Sequence, residues 1–248
     1  MGKEITHGIK SAILLFKGMS AIGIKYVPKN YMDRIKKIEK KINKTIHVQS
    51  ALKASDLLKL EQMVKNCALC GLARTRKNVV FGEGPKNPIL MLVGEAPGRE
   101  EDLQGRPFVG RSGELLTKML RAISLERSEV FITSVIKCRP PRNRTPKKEE
   151  IEACLPYLLR QIELLDPKLL LCLGATAAKA LLDTEDPLTK LRGAFHNFKG
   201  RKLLVTYHPA YLLRFGGNKL LNLKRQAWHD LQILQKEYEK IKEEMENR

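Results

Sequence analysis

The chain has 248 residues, of which 43% are hydrophobic and 29% charged, so it has the length and composition of a globular protein with one sizeable core. Lysine and arginine total 46 against 27 aspartate and glutamate residues, which gives a net charge of +19. Such a surplus favours nucleic acid as a partner. The alternative is the charge-rich surface of a heat-adapted protein. Because no run reaches the roughly 20 apolar residues that span a bilayer and no cleavable signal is recognisable, we expect a cytoplasmic protein without a membrane contact.

The first 60 residues differ from the rest in charge. They contain 13 lysine or arginine residues against four acidic ones, and no cysteine. Residues 31–45 place Ile35, Ile38 and Ile42 at helical spacing among lysines, which predicts a basic amphipathic helix. We therefore expect a basic helical extension over residues 1–60 that contacts DNA or a partner, followed by the main domain over residues 61–248. A solvated surface helix without a function is the alternative.

Beyond residue 85, short apolar runs alternate with helix-like segments. Four runs predict buried strands, at residues 88–93, 130–136, 168–173 and 202–207. Helices are predicted at residues 113–123, 147–164, 175–182 and 220–245. This alternation favours a three-layer α/β/α fold around a four-stranded parallel sheet. Because ligands bind beyond the carboxyl ends of such strands, residues 94–98, Ser134 and His208 are expected to meet in one cleft.

Four of the five cysteines are spaced as metal ligands. Cys67 and Cys70 form a C-x-x-C pair, Cys138 follows the second predicted strand, and Cys154 lies on a predicted helix. Four such thiolates suit a tetrahedral zinc site or a four-iron cluster, and their spacing does not choose between the two. A thioredoxin-like pair is less favoured because the pair precedes the strand–helix pattern, and Cys172 is expected to be a buried core thiol.

An ordered set of motifs extends over roughly 60% of the chain. It comprises C-x-x-C at 67–70, GEG at 82–84, GEAPGREEDLQGRPFVGRSGELL at 94–116, KCRPPRNRTP at 137–146, Cys154 and HPAYLLR at 208–214. This set resembles the family 4 uracil-DNA glycosylases of thermophilic bacteria and archaea, within the uracil-DNA glycosylase superfamily. The resemblance implies a monomeric DNA-repair hydrolase that releases uracil from single- or double-stranded DNA and leaves an abasic site. It also implies a structural four-iron–four-sulfur cluster on the four cysteines Cys67, Cys70, Cys138 and Cys154.

The resemblance assigns catalytic carboxylates within the first long motif. Hydrolysis of an N-glycosidic bond builds positive charge on the sugar, so a carboxylate near the sugar is needed. Glu95 and Glu101 match the carboxylates that place water or stabilise the oxocarbenium ion. Glu100 and Asp102 are expected instead to be solvated residues at the start of a helix.

The resemblance also implies which residues surround the base. Phe108 matches the ring that stacks on the extruded uracil, and its flanking glycines predict a projecting loop. His208 matches the histidine that contacts uracil O2 and stabilises the leaving anion. Gly94 and Ala96 belong to a turn whose backbone N–H groups approach the base.

On the DNA side, Leu212 or Leu213 is expected to fill the gap left by the flipped nucleotide, and Arg214 to contact phosphate. Ser134 departs from the family, which usually has asparagine there to pair with the uracil edge. Two alternatives therefore stay open: a glycosylase for another deaminated base such as hypoxanthine, and a metal-stapled nucleic-acid-binding protein with weak or no catalysis. A metal-dependent nuclease is disfavoured, because a two-metal site gathers carboxylates from several strands, whereas the acidic residues noted here lie in one run.

Overall fold

The structure is a computed structural model that describes residue 45 and residues 49–247. The chain divides into two units, Met1–Ser50 and Ala51–Arg248, and the second unit contains the fold and the site. The predicted basic helix at residues 31–45 lies, apart from Thr45, outside the described residues. Within the described part, none of the helices combines the length and the apolar character needed to cross a membrane.

The expected division of the chain at residue 60 falls inside helix α1 (Leu57–Lys65). Ala51 and Ala54 are buried and pack in one apolar cluster with Tyr157. The guanidinium of Arg160 donates two hydrogen bonds to the Ala54 carbonyl, at 3.0 and 2.7 Å. Because these contacts precede the expected division, the chain packs on the main unit from residue 51 onward.

One five-stranded sheet forms the centre of the main unit. The strands are β1 (Leu90–Gly94), β2 (Phe131–Ser134), β3 (Leu169–Leu173), β4 (His196–Phe198) and β5 (Arg201–Thr206). Their order is β2-β1-β3-β5-β4, and all neighbours are parallel except β4 and β5. The four predicted parallel strands are confirmed. The antiparallel edge strand β4 is an addition, because three residues with one buried side chain leave no apolar run to detect.

Helices cover both faces of the sheet. They are α2 (Arg99–Gln104), α3 (Arg111–Arg121), α4 (Lys148–Leu165), α5 (Ala175–Leu182), α6 (Leu188–Leu191), α7 (Pro209–Leu212) and α8 (Gly217–Glu246). Alternate β1 side chains point to opposite faces, so Leu90 and Leu92 pack in the cluster with α3 and α8, whereas Met91 and Val93 pack in the cluster with α4 and α5. The predicted three-layer α/β/α fold is confirmed.

Candidate active site

A cavity of about 650 Å³ opens where the parallel strands end. Strand register places Gly94, the last residue of β1, beside Ser134, the last residue of β2. The residues that line the cavity include seven predicted site residues: Glu95, Ala96, Glu101, Phe108, Ser134, His208 and Arg214. The segments after the first, second and fourth parallel strands therefore meet in one cleft. The turn after β3 also lines this cavity, and it is not among the predicted site segments.

Phe108 lies in the cavity wall, against the end of β1. A Cβ atom on Gly94 would lie 2.6 Å from Phe108 Cζ, so only glycine allows this approach. The Phe108 ring stacks on the His208 imidazole with centroids 5.6 Å apart and planes inclined by 30°. With 7% of its surface exposed, Phe108 does not sit on a projecting loop as expected. Its backbone has a φ of 52°, which is unusual for a bulky residue, and Arg127 supports it by donating to the Phe108 carbonyl at 3.1 Å.

Glu101 holds the loop that carries Phe108. One carboxylate oxygen, Oε1, accepts hydrogen bonds from the Val109 and Gly110 backbone N–H groups at 2.9 and 3.0 Å. The other oxygen, Oε2, accepts from the Gly98 N–H at 3.1 Å. Both oxygens of this buried carboxylate are thus directed at backbone donors, an arrangement that suits a positioning role better than contact with water.

Asp102 is buried at 2% exposure, so the expectation that it is solvated is wrong. Its carboxylate accepts from the Lys77 N–H at 2.9 Å and from the Asn78 N–H at 3.3 Å. The Asn78 side chain donates back to the Asp102 carbonyl at 2.9 Å. Asp102 therefore ties α2 to the segment that precedes β1. Glu100 is exposed, in agreement with the expectation.

Glu95 is the half-buried carboxylate of the cavity. Its Oε2 atom accepts a hydrogen bond from the Thr176 hydroxyl. Its Oε1 atom accepts no hydrogen bond from the part of the chain that the structure describes. Of the two predicted catalytic carboxylates, Glu95 is therefore the one with an oxygen available to water or substrate.

The surroundings of His208 favour a neutral imidazole with its proton on Nε2. It is the N-cap of α7, and its Nδ1 accepts a hydrogen bond from the Ala210 N–H at 3.1 Å. A proton on Nδ1 would face that N–H group, so the neutral Nε2–H form is favoured. Burial lowers the pKa of His208 to about 4, with the nearby Arg214 charge acting in the same direction and Glu101 opposing it. His208 can therefore donate a hydrogen bond at neutral pH.

The two leucines expected at the DNA surface have different surroundings. Leu212 is 3% exposed and packs in the apolar cluster beside α3, so the expectation that it reaches DNA is corrected. Leu213 is 43% exposed, and Arg214 is exposed and lines the cavity. Successive residues of a helical turn point in directions about 100° apart, which puts one leucine in the core and the next at the surface.

The four predicted metal ligands line a second, smaller cavity: Cys67, Cys70, Cys138 and Cys154. They come from the segment after α1, the segment after β2, and α4. No three His, Cys, Asp or Glu side chains within residues 49–247 are arranged to share a single metal ion. Cys172 lies apart, fully buried within β3, as predicted for a core thiol.

The surroundings of these cysteines suit thiolates bound to a cationic centre. Arg76 donates to Cys138 Sγ at 3.2 Å, and the Lys137 N–H donates to Cys154 Sγ at 3.3 Å. Burial raises the pKa of Cys70 and of Cys138, and it raises the pKa of Cys154 to about 12. Neighbouring thiols with raised pKa values become thiolates when a metal centre compensates their charge. The residues present therefore fit a sulfur-ligated metal centre.

Comparison with known proteins decides the family. Residues 81–232 match the uracil DNA glycosylase superfamily. The chain is 48% identical over 169 residues to a type-4 uracil-DNA glycosylase of Pyrobaculum aerophilum. The aligned region covers 64% of this chain and 85% of that protein. It is 47% identical over 163 residues to the type-4 protein of Thermotoga maritima, covering 65% and 85% of the two chains. The protein of Sulfurisphaera tokodaii is 42% identical over 196 residues, 75% and 84% of the two chains. The chain belongs to the type-4 uracil-DNA glycosylases.

In this type-4 uracil-DNA glycosylase, a buried lysine contacts Ser134, the position at which the resemblance implies asparagine. Ser134 is buried at the end of β2. The fully buried Lys137 ammonium donates to the Ser134 carbonyl at 2.8 Å and to the Thr133 hydroxyl at 2.5 Å. Lys137 was not among the predicted site residues. Its place between an apolar strand and a predicted cysteine ligand is a signal that could have predicted a buried lysine near the site. Lys137 holds the β2 end in place beside the cavity.

Proposed function

We propose that the chain is a DNA glycosylase that hydrolyses the N-glycosidic bond of uracil in DNA and leaves an abasic site for base excision repair. The observation that carries this proposal is the single cavity at the strand ends, which brings Glu95, Phe108 and His208 together. The type-4 relatives are named for this activity. The net charge of +19 supports a polyanionic substrate.

The cavity recognises a base that has left the DNA stack. A glycosylase cannot reach the glycosidic bond inside a duplex, so the uracil nucleotide turns into the cavity, where the Phe108 ring stacks on the base. The Nε2–H group of His208 donates to uracil O2. Because negative charge grows on that oxygen as the C1′–N1 bond breaks, this hydrogen bond is stronger in the transition state than in the bound substrate.

Glu95 acts on the sugar side of the reaction. As the base departs with the bonding electrons, positive charge develops at C1′, and the Glu95 carboxylate stabilises it. The Oε1 atom orients the water that adds to C1′ and accepts its proton as the C–O bond forms, and the released uracil anion takes up a proton from solvent. Glu101 acts indirectly, because it fixes the loop that carries Phe108.

The four cysteines Cys67, Cys70, Cys138 and Cys154 would hold the four-iron–four-sulfur cluster of this proposal. Four thiolates suit a tetrahedral zinc ion as well as a four-iron cluster, and the cluster is proposed here because of the resemblance to the family 4 glycosylases. When bound, the cluster supplies a cross-link between segments that flank the cavity, and no reaction step depends on it.

DNA approaches from the side of Leu213 and Arg214. In the proposed complex, Leu213 fills the gap left by the flipped nucleotide, and Arg214 contacts a phosphate beside the cavity. The basic segment before residue 51 contacts DNA or a recruiting protein, and the glycosylase domain begins at residue 51 instead of the expected residue 61. The protein acts as a monomer in the cytoplasm, with the chromosomal DNA.

A second candidate function is the release of another deaminated base, such as hypoxanthine. Ser134 favours it, because one short hydroxyl reads fewer groups of the base than the asparagine usual in the family. With fewer hydrogen bonds to the edge of the base, the cavity accepts bases other than uracil. This candidate keeps the same cavity and the same His208 donor.

The direct test uses oligonucleotides with one uracil, hypoxanthine or xanthine, single- and double-stranded, followed by alkaline cleavage at abasic sites. We expect cleavage at uracil in the presence of EDTA. His208→Ala should lower base release by roughly ten- to a thousandfold. His229→Ala, an exposed histidine on α8, is the matched control.

Each outcome of this test decides between the functions. Fastest release of hypoxanthine would favour the second candidate. No abasic site on any strand would contradict both glycosylase functions and leave a nucleic-acid-binding protein. Strand cleavage that requires a divalent ion would instead indicate a nuclease.

A further inference from the structure

The turn between β3 and α5 contacts Glu95. Thr176 lies in the first turn of α5 and lines the cavity. Its hydroxyl donates a hydrogen bond to Glu95 Oε2, and Oε1 accepts none from the described residues, in a side chain that lines the cavity. A glutamate side chain has three rotatable bonds, so one fixed donor removes most of its freedom to turn away from the sugar.

The same turn also contacts His208, through Gly174, which lies two residues before Thr176. Gly174 has a φ of +91°, in the region where glycine is favoured, and a Cβ atom there would lie 3.0 Å from His208 Cβ. The Gly174 N–H donates to the Thr206 carbonyl at 2.9 Å, which joins the turn to the end of β5. The turn therefore packs directly beneath the histidine.

We propose that this turn, residues 174–176, is a positioning element that sets Glu95 and His208 relative to each other across the cavity. Thr176 is a positioning residue that acts through Glu95, and Gly174 allows the close approach of His208. The inference rests on the proposed glycosylase function, because it concerns the geometry of that reaction. Its two contacts come from one turn and reach the residues that follow two different strands, β1 and β5.

Thr176→Val removes the hydroxyl and keeps the shape of the side chain. Glu95 then loses a hydrogen bond to its charged group, and we expect the single-turnover rate of uracil release to fall about ten- to a hundredfold. Affinity for the uracil-containing strand should change much less, because Glu95 acts after the base is bound. Thr176→Ser keeps the donor and should recover most of the rate.

The experiment uses the full-length purified protein with its native metal content and measures single-turnover release and DNA affinity separately. Thr184→Val, the same exchange beyond the far end of α5 and outside the cavity, is the matched control. Urea unfolding of every variant shows whether folding is intact. Thr176→Val is also made in a Glu95→Ala background, where it should have no further effect, because the residue through which it acts is gone.

The results separate this inference from the proposed function. If the wild-type chain releases no base from any strand, the proposed function and this inference both fail. If the wild-type chain is active and Thr176→Val is equally fast, the inference alone is overturned. It is also overturned if Thr176→Ser is as slow as Thr176→Val, or if the losses of Thr176→Val and Glu95→Ala add, since the hydroxyl would then not act through Glu95.

Discussion

Replacing Glu101 with glutamine tests whether this buried carboxylate holds the cavity together. The carboxylate accepts three backbone hydrogen bonds at 2.9 to 3.1 Å, two from the Phe108 loop and one from Gly98 at the start of α2. Glutamine has nearly the same shape but no charge. Its carbonyl oxygen can still accept from the Phe108 loop, whereas its amide NH₂ group then faces the Gly98 N–H, donor against donor.

The expected loss follows from these three bonds. A hydrogen bond to a charged group contributes about 1.5–3 kcal/mol, and one between neutral groups about 1 kcal/mol. A buried donor left without an acceptor costs about 1–3 kcal/mol. Allowing for relaxation of the loop, we expect Glu101→Gln to lower the free energy of unfolding by about 2–4 kcal/mol. Uracil release should also slow, because the Phe108 loop is no longer held against β1.

Urea unfolding measures the first effect as a lower midpoint with an unchanged slope, and single-turnover release measures the second. Glu100→Gln is the matched control, because the neighbouring glutamate is exposed and its nearest cation, Arg99, is 4.0 Å away. The control should stay within about 0.5 kcal/mol of the wild type. The positioning role of Glu101 would be refuted if the two variants had the same stability and the same rate.

Three further predictions concern the histidine, the cysteines and the serine. Because burial lowers the pKa of His208 to about 4 from an ordinary value of about 6.5, its ring should titrate near pH 4 by NMR. As the pH falls, the unfolded chain binds this proton before the folded chain does, so protonation of His208 lowers the free energy of unfolding between about pH 6.5 and pH 4. A titration midpoint near pH 6.5 for His208 in the folded protein would contradict this. The purified protein should be brown, with about four iron and four sulfide per chain. Cys70→Ala should lose them and Cys172→Ala should keep them, whereas a colourless, zinc-loaded protein prepared without air would rule the cluster out. Ser134→Asn should raise uracil release or narrow base choice, and if neither changes, this position does not read the base.

The sequence by itself determined the layered fold and the place of the cavity. Apolar runs long enough to be buried on both faces predicted four parallel strands, and polar motifs directly after them predicted a cleft at their ends. Cys172 was separable from the other cysteines because an apolar run surrounds it. These features are local or follow from sheet topology, so they can be read without coordinates.

Only the tertiary structure decided what individual side chains in the motifs do. Neighbouring acidic residues look alike in sequence, yet Glu101 is buried against backbone donors of the Phe108 loop and Asp102 against donors of the segment before β1. Glu95, in contrast, has one carboxylate oxygen that accepts no hydrogen bond from the described residues. Leu212 and Leu213 differ only in the direction that a helical turn gives them. The contact of Thr176 with Glu95 could be identified only in the tertiary structure. Strands β1 and β3 are neighbours, and this brings two residues 81 positions apart in the chain into one hydrogen bond. Such roles depend on the direction and the partners of a side chain, and these are set by packing between segments rather than by the motif itself.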